Sequence, residues 1–127
     1  IVAKFIRQAM DKETLEIYGD GTQTRDFIYI DDLIKALNLA VIKENIGGET
    51  FQIASNQETT VGGITNTLIQ ILQENGILDI NVINGEVRLG DVKRNYSDTN
   101  KAKRLLGWQP VMSQKEGLER TVWSFLK

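Results

Sequence analysis

Residues 15–32 read Leu15-Glu16-Ile17-Tyr18-Gly19-Asp20-Gly21-Thr22-Gln23-Thr24-Arg25-Asp26-Phe27-Ile28-Tyr29-Ile30-Asp31-Asp32, and most of the architecture can be worked out from them. Leu15 and Ile17 flank Glu16 in the alternation of a half-buried strand. Gly19 and Gly21 follow, two residues that permit positive φ and a tight backbone. Phe27 to Ile30 is a compact β-prone run. Asp31 or Asp32 then stands at an expected helix N-cap, because a carboxylate there accepts a free amide of the first turn. Strand, glycine loop, strand and helix in this order point to a mixed α/β chain.

Both flanks extend that pattern. Ile1, Val2, Phe5, Ile6 and Ala9 recur at helical spacing and predict a helix over 1–11. Downstream, Leu33, Ile34, Leu37, Ala40 and Val41 mark a helix that stops at Gly47-Gly48. Thr50 to Ala54 predicts a second strand. Thr60 caps a helix whose Val61, Ile64, Leu68, Ile71 and Leu72 share one face, closed by Asn75-Gly76. Asp79 to Ile83 predicts a third strand. Asp98 caps a short helix that Gly107 ends, with Pro110 just beyond. Residues 114–127 form a last helix with Leu118, Val122 and Phe125 facing inward. The sum is α/β, or a small α+β-like lobe, with short strands and about five helices. No repeat or linker divides the 127 residues, so 1–127 reads as a single domain.

Composition removes whole classes of chemistry. The chain has no His and no Cys, which excludes a Ser-His-Asp triad, a thiol nucleophile, a disulfide and a His/Cys zinc site. Fifteen Lys plus Arg against 17 Asp plus Glu leave a net charge of −2, without the basic face of a nucleic-acid binder. Apolar runs of four or five residues do not span a membrane or make a signal peptide, and the cytoplasm is the default compartment.

Three places carry more polar side chains than packing requires. The loop Gly19–Asp26 delivers Arg25, a planar fork of donors suited to phosphate or carboxylate. A hairpin turn with Arg25 paired to Asp26 or another surface acid fits the spacing as well. Arg88-Leu89-Gly90-Asp91 sets an arginine and a carboxylate three residues apart, either a phosphate-and-hydroxyl site or a surface ion pair. Residues 95–110 read structurally: a cap at Asp98, packing at Leu105 and Leu106, a C-cap at Gly107 and a core position for Trp108.

Together, Tyr18-Gly-Asp-Gly-Thr-Gln-Thr-Arg-Asp-Phe-Ile-Tyr-Ile-Asp-Asp32, Arg88-Leu-Gly-Asp91 and Ser97-Asp-Thr-Asn-Lys-Ala-Lys-Arg-Leu-Leu-Gly-Trp-Gln-Pro110 resemble a known family. They look like the C-terminal, substrate-binding part of the NAD-dependent sugar-nucleotide epimerases and dehydratases, the extended short-chain dehydrogenase/reductases that include UDP-glucose 4-epimerase. The resemblance implies that Arg25 contacts the pyrophosphate of a nucleotide sugar. It implies that Arg88 and Asp91 bind phosphate and ribose, that the backbone around Glu16 and Tyr18 lies by the base, and that Asn95 lines the sugar pocket. It also implies an NAD-binding Rossmann domain N-terminal to this chain. The family's Gly-x-x-Gly-x-x-Gly loop and Tyr-x-x-x-Lys pair are missing from these residues: Thr22, Leu33 and Asn100 lie four positions after the three tyrosines. Gln52 stands where relatives often carry Asn. The chain alone is therefore expected to bind no NAD and to be inactive, with a free-standing nucleotide-sugar-binding or protein-interaction module as the alternative. Separated from its Rossmann partner it should expose apolar surface at Ile1, Val2 and the 31–46 helix, and self-associate.

Overall fold

A computed structural model describes residues 1–127 as five helices and four short strands. In chain order these are α1 (Val2–Met10), β1 (Leu15–Tyr18), β2 (Thr24–Arg25), α2 (Ile30–Ile42), β3 (Thr59–Thr60), α3 (Val61–Glu74), β4 (Val82–Gly85), α4 (Asn100–Leu106) and α5 (Gln114–Leu126). The mixed α/β class agrees with the sequence. None of the helices is long and apolar enough to cross a membrane.

The helical periodicities find one another. Phe5, Ile6 and Ala9 of α1, Leu15 and Ile17 of β1, Val61, Ile64, Leu68, Ile71 and Leu72 of α3, and Leu118 and Val122 of α5 form the main core. Thr60 caps α3 by accepting from the Gly63 amide at 3.0 Å, and Ser113 caps α5 by accepting from Glu116 at 3.2 Å. α4 ends at Gly107, whose φ of +67° is the left-handed conformation a C-cap requires. A second cluster joins Ala36 of α2 to Ala102 and Leu106 of α4 and to Trp108, with Phe51 and Ile53 packed against it.

Two small sheets complete the fold. β1 and β4 run parallel, from Leu15 opposite Val82 to Tyr18 opposite Gly85. β2 and β3 are antiparallel, with Thr24 opposite Thr60 and Arg25 opposite Thr59. Gly21, at φ +78°, comes so close to the start of α3 that a Cβ there would lie 3.3 Å from the Gly62 backbone. That approach, with the Gly62 amide donating to the Gly21 carbonyl at 2.9 Å, pins the glycine loop to α3.

Several expectations are corrected. Phe27–Ile30 is no strand: only Thr24–Arg25 pairs, and Ile30 already opens α2. Neither Asp31 nor Asp32 caps α2, because Tyr29 is the N-cap and both acids lie in the first turn. Asp32 is buried instead, where its carboxylate accepts the amides of Val111 and Met112 at 3.1 and 3.0 Å. α2 ends at Ile42, well short of Gly47. Thr50–Ala54 makes no ladder: it pairs with neither sheet, and Phe51 and Ile53 pack on the second cluster instead. The third strand is displaced to Val82–Gly85 by its register with β1. Asp98 holds the Asn100 amide at 2.8 Å, while Thr99 is the N-cap of α4.

Candidate functional site

A cleft of about 560 Å³ opens between α1, β1, β2 and the 88–91 segment. Its lining brings together Glu16, Tyr18, Arg25, Arg88 and Asp91, five of the six residues singled out in the sequence. Asn95 is not among them and lies exposed beyond Arg94. Lys4 of α1 also faces the cleft and was missed. Its signal is faint: one cation inside the apolar run that opens α1.

Backbone geometry explains why β1 presents itself. The Leu15 amide donates to Asn81 at 2.9 Å and the Gly19 amide to Gly85 at 3.1 Å. Odd-numbered amides therefore point to β4, and a parallel ladder turns the N–H and C=O of Glu16 and Tyr18 to the other, uncovered edge. The Gln23 side chain donates to the Tyr18 carbonyl at 2.8 Å, leaving the Glu16 peptide groups open.

Arg25 is held from three directions. Its Nη1 donates to the carbonyls of Thr24 and Val92, both at 2.6 Å, and its Nη2 pairs with Asp91 Oδ1. The Thr24 amide donates to the Lys93 carbonyl at 2.9 Å, which draws the 91–93 segment alongside β2. Of the two partners the sequence allowed, Arg25 takes another surface acid, Asp91, and not Asp26. Asp26 accepts from Ser55 N at 2.7 Å, Ser55 Oγ at 2.5 Å, Asn56 N at 3.0 Å and Ser97 N at 3.3 Å. It ties the 51–57 and 95–99 segments to the floor of the cleft.

One further pair was invisible in the sequence. Glu58 accepts from Arg94 Nε and Nη2 at 2.6 and 2.8 Å, and from Thr24 Oγ1 at 2.8 Å. The bond from Arg94, then the one from Thr24, lower the Glu58 carboxyl from its ordinary 4.5 to about 2. The same pairing raises the Arg94 guanidinium. Nothing in a 36-residue separation announces this contact.

Arg88, Lys4 and Glu16 make no ion pair and no side-chain hydrogen bond. The cleft thus combines a fixed Arg25–Asp91 pair with cations free to meet an anion. No group of three or more metal-ligating side chains exists.

The pyrophosphate of a dinucleotide is commonly held by the open amides of a glycine-rich helix start. The only such start, Val61-Gly62-Gly63, is closed: its three amides donate to the Gln23 carbonyl, the Gly21 carbonyl and Thr60 Oγ1.

The fold and the cleft define a lobe of the extended short-chain dehydrogenase/reductases. A model of the GDP-mannose 4,6 dehydratase family matches residues 1–121, and the chain belongs to that family, among the NAD-dependent sugar-nucleotide epimerases and dehydratases, matching their C-terminal part. It is 37% identical to a UDP-glucuronate 4-epimerase of Thermodesulfobacterium geofontis, over 97% of this chain and 37% of the relative. The structure is similar to that of UDP-glucose 4-epimerase of Thermotoga maritima with UDP-glucose, with TM-score 0.89 and 36% identity over 98% of this chain and 38% of that one. It is also similar to UDP-glucuronic acid 4-epimerase of Bacillus cereus in complex with UDP-glucuronic acid and NAD, with TM-score 0.85 and 31% identity over 99% of this chain and 40% of that one. The chain therefore spans well under half the length of these relatives.

Proposed function

We propose that residues 1–127 act as a single substrate-binding domain that holds the nucleotide-diphosphate part of a nucleotide sugar for NAD-dependent epimerisation or dehydration by a longer, cytoplasmic enzyme. The observation that carries this is the convergence of Arg25, Arg88, Asp91, Glu16 and Tyr18 on one cleft. Relatives whose structures hold UDP-sugars and NAD support it.

The chemistry follows from which groups are already committed. Arg88 is free to make a forked, charge-assisted contact with a phosphate. Arg25, locked by two carbonyls and Asp91, keeps the N–H of Nε and one of Nη2 for the ligand. The second oxygen of Asp91 can accept from a ribose hydroxyl. The open edge at Glu16 offers one N–H and one C=O to a base. Fixing the nucleotide so firmly lets remote binding energy orient the sugar at the reacting centre. NAD and the reacting groups come from a Rossmann domain elsewhere in the enzyme, and residues 1–127 alone do not turn over. The apolar face of α2, where Leu37, Val41 and Ile42 are 58%, 84% and 73% exposed, makes the isolated lobe self-associate. A monomer by light scattering at high concentration would contradict that part.

Calorimetry on the full-length protein with UDP-, dTDP- and GDP-sugars tests the function. One of them binds at micromolar strength, and Arg25→Ala and Arg88→Ala each weaken it by about tenfold or more, the scale of a lost bond to a charged group. Millimolar or weaker binding of all three sinks the reading.

A further inference from the structure

The position of Lys4 deepens that reading and rests on it. Six charged residues line the cleft: Lys4, Glu16, Arg25, Asp26, Arg88 and Asp91. Arg25 and Asp91 neutralise each other, and Asp26 is saturated by the amides of the 55–56 turn and Ser97. Arg88 lies on the same short segment as Asp91, at the phosphate and ribose end. Lys4 lines the same cleft from α1, with its ammonium 5.9 Å from the centre of the Tyr18 ring on β1.

Glu16 does not neutralise Lys4. Its carboxylate lies across the sheet over Gly85, where an added Cβ would come 2.0 Å from Glu16 Oε1. The missing side chain at Gly85 thus leaves room for Glu16 to lie over β4. The Lys4 ammonium is left with no ion-pair partner, in the concave site that Glu16 and Tyr18 of β1 also line.

We propose that Lys4 is a specificity-determining residue that reads the base, by donating to an exocyclic carbonyl oxygen. Uracil, thymine and guanine carry such an oxygen next to a ring N–H. The Glu16 edge and Lys4 together match that pair: the Glu16 carbonyl accepts the ring N–H, and Lys4 donates to the adjacent oxygen. Cytosine and adenine carry an amino group at the corresponding position. An ammonium facing it sets donor against donor, and the ring nitrogen beside it has no proton for the Glu16 carbonyl. The ligand is therefore a nucleoside diphosphate with a carbonyl-bearing base, whatever sugar it carries. Lys4 is exposed on the first turn of α1 and takes no part in the core, so replacing it leaves the fold intact.

UDP and CDP differ only at this edge, and titrating both into the full-length protein by calorimetry isolates it. UDP binds about tenfold or more tightly than CDP, the effect of one hydrogen bond to a charged group. Lys4→Met reduces that preference by weakening UDP and leaves only the part due to the Glu16 carbonyl, Lys4→Arg retains it, and Arg88→Ala weakens UDP and CDP by the same factor. Equal binding of UDP and CDP by the unaltered protein, or a preference unchanged in Lys4→Met, overturns the role of Lys4 while leaving nucleotide binding standing. Failure of both nucleotides to bind overturns the nucleotide reading, and this inference with it.

Discussion

α2 and α3 are both apolar helices of similar length, yet they end in opposite environments. α3 buries Val61, Ile64, Thr65, Leu68, Ile71 and Leu72 against α1, β1 and α5. α2 buries only Asp32 and Ala36, and turns Ile34, Leu37, Val41 and Ile42 outward. The lesson is that periodicity reveals an apolar face without revealing its partner. α3 buries its whole apolar face within the chain; α2 buries one side, through Ala36 against α4 and Trp108 with Phe51 and Ile53 alongside, and leaves the rest of its apolar residues outward.

Substitutions can break or sharpen this contrast. The largest effect is expected at Leu68, 1% exposed in the main core: Leu68→Ala should lower stability by about 2–5 kcal/mol in urea denaturation. A loss under about 1 kcal/mol would mean that α3 is not the centre of the fold. Next comes Asp32, the buried polar anchor of α2. Asp32→Ala leaves the Val111 and Met112 amides without their acceptor and should cost about 1–3 kcal/mol.

A smaller effect belongs to Glu58 and follows pH. Its folded carboxyl titrates near 2, below the ordinary 4.5, so its contribution is complete above about 4.5 and is lost as pH falls toward 2. Glu58→Gln should flatten that limb of the stability profile, and an unchanged acid limb would exclude the pair as its source. The smallest effect is expected on the open face. Leu37→Ala in the isolated chain should change stability by within about 0.5 kcal/mol, because little of Leu37 leaves water on folding. A core-sized loss there would show that α2 is covered.

The same contrast explains what could be read in advance. α1, β1, α3 and α5 were legible because their apolar residues meet each other, and periodicity plus the cap at Thr60 suffice for that. Phe27–Ile30 and Thr50–Ala54 have the composition of strands, but a strand exists only when another edge pairs with it, and these two have none in the chain. Asp32 looked like a cap because local pattern cannot show the amides of residues 111 and 112 arriving from far along the chain. In the cleft, glycine spacing and the two arginines were readable as motifs. The Arg25–Asp91 pairing, the Glu58–Arg94 pair and Lys4 depend on tertiary approach. Asn95 was singled out through resemblance alone, and it remains outside the cleft.

Hydrogen exchange on the full-length protein, with and without UDP, tests the central claim most directly. Nucleotide binding in this cleft should slow exchange at the Glu16 amide, on the open edge of β1, and across residues 88–93. The amides of α2 and of residues 50–54 should be unaffected. Protection confined to α2 and 50–54, with Glu16 and 88–93 exchanging as before, would contradict the account.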